Sequence, residues 1–114
     1  MNSQAIALAP DFAVSPQLSA GDFAWVAAQG FKTVINNRPD GEGGSEQPAS
    51  PELERAATAA GLHYVYLPVV SGAITAAQVQ AMRDALASCP GPALAFCRSG
   101  ARSAQMFGLT QSQD

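Results

Sequence analysis

The sequence predicts an α/β fold, in which a mainly parallel sheet of four strands lies between two layers of helices in one domain. Two observations support this prediction. Short apolar runs alternate along the chain with helical patterns, and these patterns are bounded by capping residues, glycine or proline. Such alternation implies right-handed crossovers and hence a parallel sheet covered on both faces. With 114 residues, the chain is expected to form a single domain over 1–114, with a core of about 11–110.

The first half of the chain contains two predicted strands, separated by a helix. Residues 11–15 indicate a short strand, and residues 31–37 indicate a buried one. The helix between them is capped by Ser19 and ends at Gly30, a residue type common at helix ends. Residues 38–49 are rich in glycine and proline, which predicts a long surface loop.

The second half of the chain alternates three helices with two strands. Ser50 caps the first of these helices, which carries Pro51 in its first turn, and Thr75 opens a capping box for the second. These elements are predicted at residues 50–61, 62–67, 75–89 and 92–96, with a last helix from Ala101. Each strand is again followed by a helix, as a parallel sheet requires.

A cysteine directly follows the last predicted strand, in the loop Cys97-Arg98-Ser99-Gly100-Ala101-Arg102-Ser103. The next helix begins inside this loop, so several backbone N–H groups and the positive end of the helix dipole point at the sulfur. Cysteines at helix N-termini beside arginine have pKa values of roughly 3.5–7.5, against about 8.5 for a free thiol. We therefore predict that Cys97 is a thiolate and the catalytic nucleophile.

The residues after Cys97 form the predicted substrate site. Arg102 is expected to fix the loop and to hold an anionic substrate through its planar fork of N–H groups. Ser103 is expected either to donate a hydrogen bond to the sulfur or to satisfy the backbone at the helix terminus. The anion-binding part of the loop comprises Arg98, Ser99, Gly100 and Ala101. Its glycine allows a tight turn, and its arginine either contacts the anion from the rim or is solvated.

Two further loops are expected to flank this cysteine loop, because the carboxyl ends of parallel strands share one edge of the sheet. The loop after the 31–37 strand brings Arg38 and Asp40, which either bind substrate at the rim or pair with each other. The loop at residues 68–73 contains no carboxylate. A general acid would therefore have to come from Asp40 or Glu42, if their loop folds over the site.

Composition argues against several classes of function. The net charge is −3 and the six lysines and arginines are scattered, which argues against a nucleic-acid partner. No apolar run approaches the roughly 20 residues of a membrane span, and no cationic leader precedes one. Cys89 and Cys97 are too few for a disulfide framework, and His63 is the only histidine, so neither a metal nor another cofactor is expected. We expect a cytoplasmic protein.

Several ordered motifs resemble those of one bacterial family. They are Phe12-Ala13-Val14-Ser15, Val34-Ile35-Asn36-Asn37-Arg38-Pro39-Asp40-Gly41-Glu42, Ala59-Ala60-Gly61-Leu62-His63-Tyr64, Leu67-Pro68-Val69, Ile74-Thr75 and the Cys97 loop. The family is that of the beta-lactamase hydrolase-like protein, phosphatase-like domain, and the resemblance covers about residues 11–110. It implies the fold of the dual-specificity phosphatases. Members are also described as candidate sulfur transferases, and some precede a persulfide dioxygenase of metallo-beta-lactamase fold.

The length of the cysteine loop distinguishes two chemistries. Cysteine-dependent phosphatases have five residues between cysteine and arginine, whereas this loop has four, as is common in rhodanese sulfurtransferases. We therefore expect a rhodanese-like sulfurtransferase that carries sulfane sulfur as a Cys97 persulfide, taken from a small sulfur-containing anion or a low-molecular-weight persulfide. A persulfide dioxygenase or another sulfide-oxidising enzyme is an expected partner. The alternatives are a cysteine-dependent phosphatase limited to good leaving groups and a non-catalytic anion-binding module.

Overall fold

Strands and helices alternate through residues 5–111, the part of the chain that the computed structural model describes. The strands are β1 (Ile6–Ala9), β2 (Phe12–Ser15), β3 (Thr33–Asn36), β4 (His63–Tyr66) and β5 (Ala93–Phe96). The helices are α1 (Phe23–Ala28), α2 (Ser50–Ala59), α3 (Ala76–Ser88) and α4 (Ala101–Thr110), and two short 3₁₀ helices lie at Ala20–Asp22 and Gly44–Glu46. None of these helices is long and apolar enough to cross a membrane.

The strands form one sheet in the order β1-β2-β5-β3-β4, in which β2, β5, β3 and β4 run parallel. The register pairs Ala95 with Val14 on one side and with Ile35 on the other, so β5 lies at the centre of the sheet. The predicted α/β class and the mainly parallel sheet are thus confirmed. The carboxyl ends of the parallel strands share one edge, where such sheets bind their ligands.

The sheet has one strand more than predicted. Strand β1 pairs antiparallel with β2 at the sheet edge, with Ile6 opposite Val14. The prediction missed it because all four residues of β1 are apolar, so the sequence shows no alternation of polar and apolar side chains there. Ile6 is 62% exposed and Leu8 is 41% exposed, so the apolar residues of β1 do not mark a buried face.

Each face of the sheet packs on its own pair of helices. Leu94 of β5 points towards the core formed with α1 and α2, and Ala95 points towards the core formed with α3 and α4. Phe12 of β2 also faces α4, where its ring stacks on Phe107 with centroids 4.1 Å apart. The buried residues therefore lie in two layers on either side of the sheet, which gives the predicted three-layer architecture.

The helix starts differ in part from the predictions. Thr75 caps α3 as predicted, because its hydroxyl accepts from the Gln78 N–H at 3.1 Å while Gln78 Oε1 accepts from the Thr75 N–H. The prediction that Ser50 caps α2 is wrong, because Ser50 is itself the first helical residue. Its N–H donates to Asp40 Oδ1 at 2.8 Å, and its hydroxyl lies 2.8 Å from the Tyr64 hydroxyl. The capping group at this helix terminus comes from the preceding loop.

Helix α4 is held at its carboxyl end by a side chain of α3. Arg83 donates from Nε to the Thr110 carbonyl at 3.1 Å and from Nη2 to the Leu109 carbonyl at 3.2 Å. The last carbonyls of a helix lack intrahelical partners, and a cation near them opposes the helix dipole favourably. This contact fixes the helix whose opposite end forms the cysteine loop.

Candidate functional site

The loops after β3, β4 and β5 meet at the carboxyl edge of the sheet, as the sequence predicted. They enclose a cup of about 620 Å³ that is lined by Arg38, Glu42, Gly43, Ser71, Arg98 and Arg102. Three of these six residues are arginines, so the cup is suited to an anion. Cys97 itself is 1% exposed and does not line the cup, but it belongs to the loop that contributes two of the arginines.

The sulfur of Cys97 is surrounded by backbone N–H groups. Burial alone would raise the pKa of the thiol, but N–H groups of Ser103, Gly100 and Ser99 bring the pKa below its ordinary value. The Ser103 hydroxyl would lower the pKa further whenever it donates to the sulfur. The shortest of these contacts is that of the Gly100 N–H, 3.1 Å from Sγ. The electrostatics therefore favour the thiolate, as expected for a nucleophile.

Gly100 is required for the shape of this loop. Its φ of +96° lies in the left-handed region, which glycine adopts far more readily than other residues. A Cβ at this position would also lie 3.2 Å from the Ser15 carbonyl oxygen of β2. The backbone of β2 thus limits position 100 to glycine, and this glycine directs its N–H at the sulfur.

Arg102 reaches from the first turn of α4 into the cup, and its charge is paired with Glu42. Its Nη1 donates to Glu42 Oε2 at 2.9 Å and to the Val69 carbonyl at 2.9 Å, while Nη2 donates to Glu42 Oε1 at 3.2 Å. Its Nε is buried and has no hydrogen-bond partner. A buried N–H without a partner costs free energy, so this donor is a candidate to bind an acceptor that the described residues do not supply.

Glu42 joins Arg102 to the second arginine of the cup wall. Arg38 donates from Nε to Glu42 Oε1 at 2.8 Å and from Nη1 to Gln17 Oε1 at 3.1 Å. The hydrogen bond from Arg102 is the main cause that lowers the pKa of Glu42, and the contact with Arg38 lowers it further against the opposing effect of burial. Glu42 is therefore ionised at neutral pH and unsuited to act as a general acid.

Asp40 lies outside the lining of the cup. Of its two predicted roles, rim binding and pairing with Arg38, the structure shows neither: Asp40 Oδ1 accepts the Ser50 N–H at the start of α2. Arg38 pairs instead with Glu42, which lies four residues further along the chain. The sequence could not distinguish these two carboxylates, because both belong to the same glycine-rich segment.

The other predicted site residues occupy different positions around the cysteine loop. Arg98 is exposed and lines the cup. Ser99 and Ala101 are exposed, and the Ser99 hydroxyl accepts from the Ala101 N–H at 3.3 Å. Ser103 is fully buried, and its hydroxyl donates to Asn37 Oδ1 at 2.8 Å. Sequence reasoning assigned no role to Asn37; the available signal was its position at the carboxyl end of the predicted 31–37 strand.

No metal-binding arrangement is found in residues 5–111. Within this range, no three side chains of His, Cys, Asp or Glu are grouped so that they could hold an ion. Both cysteines are free thiols, and Cys89 lies beyond the carboxyl end of α3, with the whole of β5 between it and Cys97. The cup therefore carries three arginines and one carboxylate, and the buried thiol of Cys97 lies in the adjoining loop.

Comparisons with known proteins agree with this geometry. A curated beta-lactamase hydrolase-like protein of Agrobacterium fabrum (strain C58 / ATCC 33970) is 38% identical over 101 residues, which cover 89% of this chain and 23% of the relative. The crystal structure of a candidate phosphatase from Neisseria meningitidis Z2491 has a TM-score of 0.83 and 32% identity, with 90% of this chain and 72% of that chain covered. The chain thus spans about a quarter of the length of its curated relatives.

A more distant solved structure shares the fold. The core catalytic domain of a PP-IP phosphatase from S. cerevisiae has a TM-score of 0.70 at 14% identity and covers 91% of this chain and 62% of that chain. The sequence profile of the family described as beta-lactamase hydrolase-like protein, phosphatase-like domain matches residues 5–114. The cysteine loop, the arginine cup and these matches confirm the predicted family: the chain belongs to the phosphatase-like domains of beta-lactamase hydrolase-like proteins.

Proposed function

We propose that this domain of the cysteine-phosphatase fold is a rhodanese-like sulfurtransferase, in which Cys97 accepts sulfane sulfur as a persulfide. The observation that carries the proposal is that neither carboxylate considered as a general acid is free to act as one. Asp40 caps α2, and Glu42 is kept ionised by two arginines. Hydrolysis of a phosphate monoester gains about 10²–10⁴ in rate from such an acid. Transfer of sulfane sulfur has no such requirement, because the donor leaves as a stable anion.

The proposed reaction proceeds in two steps. The Cys97 thiolate attacks the terminal sulfur of a donor such as thiosulfate, and the sulfur–sulfur bond of the donor breaks so that sulfite departs with the electron pair. The product on the enzyme is the persulfide anion of Cys97. An acceptor thiolate, or cyanide, then attacks the outer sulfur and releases the Cys97 thiolate.

The residues of the cup have separate roles in this scheme. The loop N–H groups stabilise the thiolate and afterwards the persulfide anion. The unpaired Nε of Arg102 would donate to the donor anion, and Arg98 would contact the same anion from the exposed side. The proposed substrates are a small sulfur-containing anion or a low-molecular-weight persulfide. We also propose a cytoplasmic location and a persulfide dioxygenase or another sulfide-oxidising enzyme as the consumer of the product.

The second candidate is a cysteine-dependent phosphatase, and the comparisons support it better than they support sulfur transfer. The family is described as phosphatase-like, and the Neisseria structure is described as that of a candidate phosphatase. The same thiolate and arginine would then attack and hold a phosphoryl group. Without a free acid, turnover would be limited to leaving groups that need no proton, such as aryl oxides.

Two assays run side by side test these candidates. Thiocyanate formation from thiosulfate and cyanide is expected in the unmodified chain, to be lost in Cys97→Ser and kept in the matched control Cys89→Ser. Release of phosphate from an aryl phosphate with the same dependence on Cys97 would favour the phosphatase instead. If neither reaction occurs while sulfate still binds, the domain is an anion-binding module and both enzymatic proposals are wrong.

A further inference from the structure

One buried polar side chain behind the cysteine loop has no role in the proposed reaction. Asn37 directly follows β3 and is fully buried. Its N–H donates to the Phe96 carbonyl at 2.9 Å, and its own carbonyl accepts from the Val69 N–H at 3.0 Å. The backbone of Asn37 is therefore held between the ends of β5 and the loop that follows β4.

The side-chain amide of Asn37 has only one favourable orientation. Its Nδ2 donates to the Leu67 carbonyl at 3.0 Å, and the reversed amide would set two acceptor oxygens against each other. Oδ1 therefore faces Ser103, whose Oγ lies 2.8 Å away. Because Oδ1 can only accept, the single hydroxyl hydrogen of Ser103 is directed at Asn37.

We propose that Asn37 is a positioning residue that keeps the hydroxyl hydrogen of Ser103 away from the Cys97 sulfur. The Ser103 side chain lies within hydrogen-bond reach of that sulfur, but one hydrogen serves one strong acceptor at a time. While Asn37 receives it, the backbone N–H groups alone stabilise the thiolate. This inference deepens the proposed function, since it assumes that Cys97 reacts as a thiolate.

The arrangement favours the first step of the proposed reaction. The nucleophilicity of a thiolate falls as the pKa of the thiol falls, so a further hydrogen bond to sulfur would weaken the attack. Asn37 prevents that bond while Cys97 is the nucleophile.

The pKa of Cys97 tests this proposal, measured from the pH dependence of iodoacetamide alkylation in a Cys89→Ser chain. Ser103→Ala is expected to leave that pKa nearly unchanged. Asn37→Leu keeps the approximate shape of asparagine but removes the acceptor, so the freed hydroxyl turns to the sulfur and the pKa falls by about one unit. Adding Ser103→Ala to Asn37→Leu is expected to reverse that fall.

Two results would overturn the proposal. One is a rise of about one unit or more in Ser103→Ala alone, which means that the hydroxyl already donates to the sulfur. The other is an unchanged pKa in Asn37→Leu, which means that Asn37 does not hold the hydrogen. If Asn37→Leu does not fold, because the Leu67 carbonyl loses its donor, the Ser103→Ala measurement decides alone.

Thr33→Val is the matched control. It removes another fully buried hydroxyl, which donates to the Pro90 carbonyl at 2.6 Å at the opposite end of β3, and it should leave the thiol pKa unchanged. The charged groups that face the cup are the same in every variant: Arg38, Glu42, Arg98 and Arg102. Alkylation needs no turnover, so the outcome does not depend on which group the enzyme transfers.

Discussion

Two walls of the same cup handle charge in different ways. The cysteine loop stabilises the sulfur with backbone N–H groups, and its shape depends on the left-handed conformation of Gly100. The loop after β3 instead uses side chains, in which Glu42 pairs with Arg38 and Arg102. The comparison teaches that the nucleophile depends on the path of the chain, whereas the ligand-binding wall depends on the identity of a few ionic side chains.

Gly100→Ala should break the first wall and have the largest effect. The added Cβ would meet the Ser15 carbonyl at 3.2 Å, so the backbone must shift and withdraw its N–H from the sulfur. The shifted loop should stabilise the thiolate less well; loss of one preorganised donor at an oxyanion site, a comparable change, lowers turnover by about 10²–10³. Steady-state kinetics with the donor that the chain accepts would measure this. Gly108→Ala in α4 is the control, because a Cβ there meets no atom within 4 Å, and equal losses in both variants would contradict the prediction.

Arg102→Lys should weaken the contact between the two walls, which is the pairing of Arg102 with Glu42. A lysine ammonium cannot reproduce the bidentate contact with Glu42 while also donating to an anion from the position of Nε. We expect the affinity for sulfate to fall by about 10–100-fold, measured by calorimetry. Arg55→Lys, on α2 and outside the lining of the cup, should bind sulfate normally. Normal binding by Arg102→Lys as well would mean that Arg102 does not contact the ligand.

Glu42→Gln should break only the side-chain wall, and its effect on stability should depend on pH. The pKa of Glu42 is lowered in the folded chain, so its ion pairs stabilise the fold above the ordinary carboxyl value of 4.5. That stabilisation is lost as pH falls through the lower, folded value. We expect the variant to lose about 1–2 kcal/mol of unfolding free energy at pH 7, after allowance for partial exposure, and progressively less in acid.

Denaturant unfolding at a series of pH values would measure that difference. Glu46→Gln is the matched control, because Glu46 is an exposed carboxylate of the same loop. A loss in Glu42→Gln that stays constant from neutral to strongly acidic pH would show that the effect is one of packing and not of charge.

Gly43→Ala should have the smallest effect, and it tests whether Arg38 in the side-chain wall contacts the substrate. A Cβ at this position would lie 2.6 Å from Arg38 Nη2, so the end of this side chain must shift and its contacts with Glu42 and Gln17 weaken. If Arg38 contacts the substrate, the KM should rise by about two- to fivefold while kcat is kept. An unchanged KM would assign Arg38 to folding the loop. Thermal unfolding of the variant measures the small loss of stability that accompanies the weakened contacts of Arg38.

Much of the fold could be predicted because local signals agree with the tertiary structure. The apolar runs and capping residues indicated four of the strands and the parallel topology. Strand β1 could not be predicted, since its side chains are largely exposed and its pairing depends on β2. The start of α2 was misjudged by one residue, because its cap is a side chain ten residues earlier in the chain.

The site was predictable only where its residues are contiguous in sequence. Cys97 and its neighbours form one short loop, so their chemistry could be inferred from spacing. The contact between Glu42 and Arg102 joins residues that are 60 positions apart, and Asn37 and Ser103 are 66 apart. Such pairs arise from the order of strands in the sheet, which sequence patterns leave open.

The depth of the nucleophile has a consequence for the shape of any molecule that it attacks. With Cys97 only 1% exposed, the sulfur can be touched by a slender tip and not by a broad surface. A terminal sulfur atom or a terminal phosphoryl group is narrow enough, whereas a thiol embedded in another folded protein is not. Burial of Cys97 therefore disfavours cross-linking of the domain to other proteins through this thiol, and it favours narrow ligands whatever their charge.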